Sequence, residues 1–337
     1  MSIQLKEVLS RLCAADGVSG AENNACKAAA ELLSGYAEVK IDSFGNVYGV
    51  LGEFSDKKQT LLLEAHIDEI GFIVNYITDD GFLKISGCGG IDERVLAAQQ
   101  VTVLGKQRIS GVLTSIPPHL SKGGEPGGIE DVFVDIGMSR ENAEKTVSLG
   151  DRVLIENELT ELEGSLVTSK ALDDRSGVAA LILALDKLKG KETAYNICVL
   201  FAAQEETGER GAKTGAFTLS PDLAIAVDVS FGKTHFESEE KCGEMGGGAM
   251  IGFAPSLCRE LSQKLVDTAE SCKIPYQLEI MSGKTGTDAD RISISKGGVK
   301  TVTVSIPLKY MHTPVEVVNL DDIEFTAELI AEFAQGR

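Results

Sequence analysis

The sequence lacks tryptophan altogether, and aromatic residues make up only 5% of its 337 positions. Sugar-cleaving enzymes commonly stack their substrates on aromatic rings, so this composition disfavours a glycan-cleaving enzyme. Basic residues are also few, because 32 Lys and Arg stand against 51 Asp and Glu and leave a net charge of −19. Binding to phosphate backbones needs clustered Lys and Arg. We therefore predict that nucleic acid is not a partner.

Long apolar runs and paired cysteines are missing as well. The longest strongly apolar run, at 178–185, is far shorter than the ~20 residues of a membrane span, so we predict no membrane partner. The seven cysteines include no Cys-x-x-Cys pair, which fits free thiols in a reducing compartment. The first residues carry scattered charges and no apolar core of the signal-peptide type. We therefore expect a cytoplasmic protein.

What is present is typical of a globular protein, with 43% hydrophobic and 25% charged residues. The length suggests two domains or one large domain. Between 72 and 163, short β-rich runs are separated by Gly and Asp, which predicts a small β-barrel or sandwich. Pro and Gly accumulate at 117–128, where we predict a mobile loop. The β-rich runs are FIVNYI, FLKISG, QQVTVLG, GVLTSI, DVFVDIG and DRVLIEN.

The segments on either side of this β-rich region alternate between helical and strand patterns. Such alternation predicts an α/β fold with a mainly parallel sheet and helices on both faces. We predict one α/β domain, formed by residues 1–71 and 164–337 and interrupted by an inserted β-rich domain, 72–163. The apolar runs that predict its buried strands are TLLLEA, NICVLFAA, LAIAVDV and VKTVTVSI.

Side chains that can bind metal ions lie at or shortly after several of the predicted strands. They are His66, Asp68, Asp173, Asp174, Glu205, Glu206, Asp228 and His312. The ligand crevice of an open α/β sheet lies outside the carboxyl ends of its strands, so we expect these residues to converge there. Two histidines with several carboxylates form a nitrogen and oxygen ligand set that suits Zn²⁺, Co²⁺ or Mn²⁺.

Each of these residues also has a purely structural explanation. Asp173 and Asp174 can cap a helix, and the Glu205–Glu206 pair can be surface charge. The set as a whole is different, because buried strands that end in many charged groups are costly to fold unless a cation compensates. We therefore predict a metal site. A carboxylate-based glycosidase and a catalytically inactive assembly module remain as alternatives.

Five motifs along the chain resemble one enzyme family in order and spacing. They are AHIDEIGF, KALDDRSG, QEETGERGA, AVDVS and YMHTPVEVV, and the segments GGIDERVLAAQQVTV, SIPPHL and GTDADRIS also match in order. The chain is similar to the metallo-aminopeptidases that include glutamyl aminopeptidase and the tetrahedral (TET) aminopeptidases, a family labelled cellulase- or endoglucanase-like in places. This resemblance implies a zinc-peptidase-like catalytic domain that is interrupted by a small PDZ-like β-barrel.

The resemblance also implies which residues hold two divalent metal ions. His66 and Asp228 would bind one ion, and Glu206 and His312 would bind the other. Asp173 would bridge both ions, because it matches the first Asp of the family's Asp-Asp-Arg motif. The first choice of metal is Zn²⁺, with Co²⁺ or Mn²⁺ as alternatives, because such a site accepts several divalent ions.

Two further residues receive roles from the same resemblance. Glu205 would be the general base that activates a water held between the ions, and Asp68 would fix the ring of His66. Both roles are chemically reasonable, because a carboxylate can accept the proton of an acidified water and can orient a ligand histidine. The expected reaction is hydrolysis of the N-terminal peptide bond of short peptides.

The family resemblance extends to assembly. It implies dimers formed through the β-rich insertion, and a tetrahedral homododecamer of such dimers with the active sites facing an interior chamber. Enclosure of this kind would favour short peptides over folded proteins. The preference for an acidic, basic or aliphatic N-terminal residue stays open.

Overall fold

The computed structural model describes residues 4–114, 119, 128–235 and 241–337. The loop predicted at 117–128 lies almost entirely outside these residues. The elements at the start of the chain are α1 (Leu5–Ala14), α2 (Asn23–Leu33), β1 (Glu38–Ile41), β2 (Val47–Val50) and β3 (Thr60–His66). Next come β4 (Gly71–Ile77), β5 (Leu83–Cys88), β6 (Gln100–Leu104), β7 (Arg108–Leu113), β8 (Phe133–Asp135), α3 (Arg140–Thr146) and β9 (Arg152–Ile155). The last group is β10 (Thr160–Glu161), β11 (Leu166–Ser169), α4 (Leu172–Leu188), β12 (Asn196–Ala202), α5 (Arg210–Leu219), β13 (Leu223–Phe231), β14 (Ala249–Phe253), α6 (Arg259–Cys272), β15 (Tyr276–Ile280), α7 (Ala289–Ile292), β16 (Lys300–Lys309), β17 (Glu316–Asn319) and α8 (Leu320–Ala334).

Eleven of the described strands form one sheet, in the order β1-β2-β12-β3-β13-β16-β17-β11-β10, with β14 beside β16 and β15 beside β14. The central strands β12, β3, β13 and β16 run parallel. Nearly all of their residues are buried, as expected for parallel strands that are covered on both faces. The prediction of a mainly parallel α/β sheet is confirmed.

The register of the parallel strands determines where the site forms. Ala202 of β12 pairs with His66 at the end of β3, and Asp228 of β13 pairs with Ser305 of β16. The carboxyl ends of the central strands therefore reach one edge of the sheet. Polar residues that follow these strands come together at that edge.

Helices cover both faces of the sheet. Along α4 every residue except Asp186 and Lys187 is buried, because α4 packs against the helices α1 and α8 and against the strands β3 and β13. On the opposite face, small side chains of α5 and α7, such as Ala212 and Ala289, pack with Leu62 of β3. None of the helices in the described part of the chain is both long and apolar enough to cross a membrane.

A second β structure is formed by the strands between Gly71 and Ile155. They close into a barrel in the order β4-β5-β8-β7-β6-β9, and every pairing in it is antiparallel. Its interior is a separate hydrophobic cluster that includes Phe72, Leu83 and Val134. The predicted β-barrel is confirmed, and the domain limits at 72 and 163 stay a prediction.

Candidate metal centre

The predicted metal ligands and the predicted base line one cavity at the carboxyl edge of the sheet. Its volume is about 820 Å³. His66 ends β3, Asp228 lies in the last part of β13, and Asp173 lies in the first turn of α4. The predicted residues that line the cavity are His66, Asp173, Glu205, Glu206, Asp228 and His312. Residues that are far apart in sequence are thus brought together as expected.

The carboxylate of Asp173 lies between the two histidine rings. Its Oδ1 atom lies 3.0 Å from Nε2 of His66, and its Oδ2 atom lies 3.4 Å from Nε2 of His312. Nε2 of His66 is also 3.9 Å from Oδ1 of Asp228, and Nε2 of His312 is 3.5 Å from Oε2 of Glu206. Each histidine therefore faces Asp173 and one further carboxylate. These are the same two pairs that were assigned to one ion each.

Asp68 is completely buried and connects the ends of β3 and β12. Its two oxygens accept hydrogen bonds from the backbone N–H groups of Glu205 (2.9 Å) and Glu206 (3.2 Å). Its Oδ1 atom lies 3.5 Å from Nδ1 of His66, which is longer than a normal hydrogen bond. In this geometry Asp68 positions the Glu205–Glu206 backbone more directly than it holds the ring of His66.

Asp174 differs from its neighbour Asp173, although both are buried. Its Oδ1 atom accepts a hydrogen bond from the N–H of Gly177 (3.0 Å), as a helix-capping residue does. Its Oδ2 atom is buried without a hydrogen-bond partner among the described residues. One of its oxygens lies within 4.8 Å of possible ligand atoms of His66 and Asp228. Asp174 thus combines the capping role with the position at the sheet edge that the sequence predicted, although the family resemblance gave it no ligand role.

Sequence reasoning missed Glu316, which lies in β17. Its Oε2 atom accepts a hydrogen bond from the N–H of Asp173 and its Oε1 atom accepts one from the N–H of His312, both at 3.1 Å. Glu316 is 2% exposed. One buried carboxylate therefore fixes the backbones that carry two of the predicted ligands. The only available signal was its position four residues after His312 in the motif YMHTPVEVV.

The buried carboxylates at this edge have strongly altered acidities. Burial raises the pKa of Glu205 to about 9 and that of Asp228 to about 7. Burial and then repulsion from Asp173 raise the pKa of Glu206 well above its usual range. Burial alone would also raise the pKa of Asp173, but hydrogen bonds with the His312 and His66 rings hold it well below its usual range. Asp173 therefore loses its proton more readily than Glu205, Glu206 and Asp228 do.

Divalent cations fit this donor set. Two groups of possible ligands have their atoms within 4.8 Å of one another: His66 with Asp173 and Glu206, and His66 with Asp174 and Asp228. Imidazole nitrogens and carboxylate oxygens are suitable ligands for Zn²⁺ and related ions. A bound cation would also give the buried, unpartnered Oδ2 of Asp174 a counter-charge.

Comparison with known proteins identifies the family to which this arrangement belongs. The family described as M42 glutamyl aminopeptidase matches residues 45–329. The chain belongs to this family. The lysyl aminopeptidase of Pyrococcus furiosus is 33% identical over 96% of this chain and 94% of its own length. The predictions of a peptidase family and of a peptide-bond hydrolase are confirmed.

Solved structures of related proteins agree with the M42 assignment. An aminopeptidase from the archaeon Desulfurococcus kamchatkensis superposes with a TM-score of 0.93 at 34% identity, covering 99% of this chain and 95% of that chain. The TET1 peptidase of Pyrococcus horikoshii, which can assemble into a tetrahedron or a large octahedral shell, gives a TM-score of 0.87 at 32% identity. That match covers 98% of this chain and 99% of the Pyrococcus chain.

The cavity of this M42 peptidase extends well beyond the candidate ligands. Ser230 and Ser305 continue the cavity wall along β13 and β16, and Glu279 of β15 faces them. Thr287, in the segment GTDADRIS that resembles the family, also lines the cavity. The neighbouring Asp288 is 2% exposed and is not part of the lining.

Proposed function

We propose that this M42 peptidase is a dinuclear metal-dependent aminopeptidase that removes the N-terminal residue of short peptides. The observation that carries the proposal is the position of Asp173 between two histidines, each of which faces a further carboxylate. One carboxylate that faces two similar ligand pairs suits a shared ligand of two ions. The preferred metal is Zn²⁺, with Co²⁺ or Mn²⁺ as alternatives.

Each candidate ligand then has a defined task. His66 and Asp228 would hold one ion, Glu206 and His312 the other, and Asp173 both. When bound, a pair of divalent ions would polarise the scissile carbonyl and acidify a water molecule. Asp174 would cap α4 and add negative charge beside His66.

Glu205 would accept the proton of the attacking water and pass it to the leaving amine. The position of Glu205 supports this role, because Glu205 lines the cavity together with its neighbour Glu206, a candidate ligand. A carboxylate in this position can accept a proton from the attacking water and release it to the leaving amine. Asp68 would keep Glu205 in place, because it accepts the backbone N–H of Glu205 and that of Glu206.

We also propose a homo-oligomer, built from dimers through the barrel and arranged as a tetrahedral dodecamer in the cytoplasm. The TET1 peptidase of Pyrococcus horikoshii supports this proposal, because it forms a tetrahedron and its chain superposes over nearly the full length of this one. Measurement of the mass in solution tests the assembly directly. A stable monomer would contradict it.

The catalytic proposal is tested by metal removal and by one substitution. We expect release of the first residue from short peptides and amino-acid nitroanilides to stop with a chelator and to return with Zn²⁺ or Co²⁺. Glu205→Gln should lower kcat by about 10²–10⁴-fold, the usual contribution of a positioned acid–base group, with bound metal retained. The matched control is Glu141→Gln, because the side chain of Glu141 is 82% exposed on α3.

Two results would overturn the catalytic proposal. One is peptide hydrolysis at an undiminished rate in Glu205→Gln. The other is glycan cleavage that survives chelation, which would favour the glycosidase alternative.

A further inference from the structure

Glu279 is a carboxylate inside the cavity that the proposed mechanism does not use. It lies on β15, next to the strand β14 that connects β15 to the main sheet. Its Oε2 atom accepts a hydrogen bond from the hydroxyl group of Ser305 at 2.7 Å, and its Oε1 atom accepts one from the hydroxyl of Ser230. Both serines are buried. The two hydroxyl groups thus hold the carboxylate in one orientation against the cavity wall.

Within the described part of the chain, Glu279 forms no ion pair with a Lys or Arg. This isolation matters because a partly buried carboxylate loses hydration without gaining a counter-charge. Consistent with that loss, burial raises the pKa of Glu279. A positively charged group that enters the cavity would supply the missing partner and form a charge-assisted hydrogen bond.

The position of Glu279 relative to the candidate ligands indicates which substrate group reaches it. Ser230 follows Asp228 by two residues on β13, so the two side chains lie on one face about 6.6 Å apart. The α-ammonium group of a peptide is bonded to the carbon next to the scissile carbonyl, and must therefore stay beside the ligands. A side chain on that carbon extends further from the ligands, towards Ser230 and the Glu279 carboxylate that Ser230 contacts.

The surrounding wall suits the rest of a basic side chain. Met250, Met281 and Phe231 line the same cavity, and apolar surface of this kind can pack against the methylene groups of lysine or arginine. Two lysines, Lys241 and Lys284, also line it, but both are exposed. Solvated charges act more weakly than a desolvated one, because water and salt screen them.

We propose that Glu279 binds the positively charged side chain of the substrate's N-terminal residue, so that the enzyme prefers lysine or arginine at that position. This inference rests on the proposed aminopeptidase function and adds its substrate class. It is a claim about specificity, and Glu279 takes no part in the bond-breaking step. The family name refers to glutamyl substrates and the Pyrococcus furiosus relative is a lysyl enzyme, so family membership leaves this preference open.

The first test compares nitroanilides of lysine, norleucine and glutamate on the metal-loaded full-length enzyme. Norleucine matches the lysine side chain in shape but lacks the ammonium group. We expect kcat/KM for lysine to exceed that for norleucine by about 10-fold or more, with glutamate lowest, since a partly buried carboxylate attracts one charge and repels the other. A preference for glutamate would overturn the inference. No turnover of any of the three would instead overturn the proposed function on which it rests.

The second test uses Glu279→Gln, which keeps the shape and removes the charge. We expect the lysine-to-norleucine ratio of kcat/KM to fall by about 10-fold or more, the loss expected when one charge-assisted hydrogen bond is removed. The matched control is Glu260→Gln, because the side chain of Glu260 is 81% exposed on α6 and pairs with Lys300. That variant should keep the wild-type ratio. An equal loss for both substrates in Glu279→Gln would mean that Glu279 binds the α-ammonium group, which contradicts the proposal.

A third test needs neither substrate turnover nor the Glu279→Gln variant. Free L-lysine and L-norleucine share the α-ammonium and carboxylate groups, so a difference in their affinity reports on the side chain alone. Calorimetric titration of the wild-type, metal-loaded protein should show tighter binding of lysine by about 10-fold. Equal affinities would overturn the inference even if Glu279→Gln failed to fold.

Discussion

Buried charge is concentrated at the carboxyl edge of the sheet, whereas the barrel interior is built from apolar side chains. Between Gly71 and Ile155, the only buried polar residue in the described part of the chain is Thr102. At the sheet edge, in contrast, the candidate ligands His66, Asp173 and Asp228 are buried. The charged residues Glu69, Lys170 and Arg175 are buried as well. Lys170 contacts both oxygens of Glu69, at 2.8 and 3.0 Å.

This difference separates what each region needs in order to fold from what it needs in order to function. An apolar barrel core follows from burial alone, and many combinations of apolar residues of the right volume would form it. Buried charges are costly, so a region that collects them has a requirement beyond folding. The sheet edge is therefore the part of the molecule whose composition reports on chemistry.

The largest expected effect on stability concerns the buried charges at the sheet edge. Glu69→Gln should lower the free energy of unfolding by about 3–5 kcal/mol, because it leaves Lys170 buried without its anionic partner. The N–H of Gly17 also donates to Glu69, at 2.9 Å. Chemical denaturation measures the loss. The control is Glu141→Gln, which breaks an exposed pair with Lys145, and equal losses in the two variants would contradict the comparison.

A mutation in the barrel that lowers the free energy of unfolding by a similar amount should leave the candidate metal centre intact. Leu83 is fully buried in the barrel interior, so Leu83→Ala should cost about 2–5 kcal/mol through lost burial and the resulting cavity. Leu149→Ala is the matched control, because Leu149 is 63% exposed. We expect metal content and kcat of folded Leu83→Ala protein to equal those of the wild type. A loss of bound metal would mean that the barrel and the sheet edge are energetically coupled.

The same contrast explains how much could be predicted from the sequence. Apolar runs such as NICVLFAA predict their strands because burial alone determines them. Helix α5 was not predicted, because its sequence RGAKTGAFTL contains two glycines and two threonines, which disfavour helices. Tertiary packing requires these small residues, since a Cβ atom on Gly215 would lie 2.5 Å from Leu200. Helix α3 has only one buried residue, Ala143, and therefore shows no clear period.

Some residues of the candidate site could be predicted from the sequence, and others could not. Residues such as His66 and Asp228 could be predicted because strand ends place them at one edge, and family resemblance added their roles. Glu316 could not be predicted, since it acts on backbone N–H groups, one of them 143 residues away in the chain. Contacts with the backbone leave no pattern in residue types. The Glu69–Lys170 pair was missed for a related reason, because 101 residues separate its members.

A smaller effect is expected for Glu316, which positions candidate ligands without being one. Glu316→Gln keeps one acceptor oxygen but turns an amide NH₂ towards a backbone N–H of Asp173 or His312. We expect metal affinity to fall by about 10–100-fold, as for other residues that orient ligands. Competition with a chelating dye measures this change. Glu324→Gln, at an exposed position on α8, is the control, and unchanged affinity in Glu316→Gln would argue that the backbone holds the site without it.

The smallest effect is expected for an exposed ion pair on the barrel side of the molecule. Nε of Arg140 lies 2.8 Å from Oε1 of Glu144 in α3, and the two side chains are 43% and 51% exposed. Glu144→Gln should lower the free energy of unfolding by only about 0.3–0.5 kcal/mol, because solvent already screens the pair. In ~1 M salt this loss should vanish, since the screening length falls to about 3 Å. The loss in Glu69→Gln should persist at the same salt concentration, because buried charges are screened much less. If both losses vanished with salt, the charges at the sheet edge would be as well solvated as those on the barrel, and the contrast between the two regions would not hold.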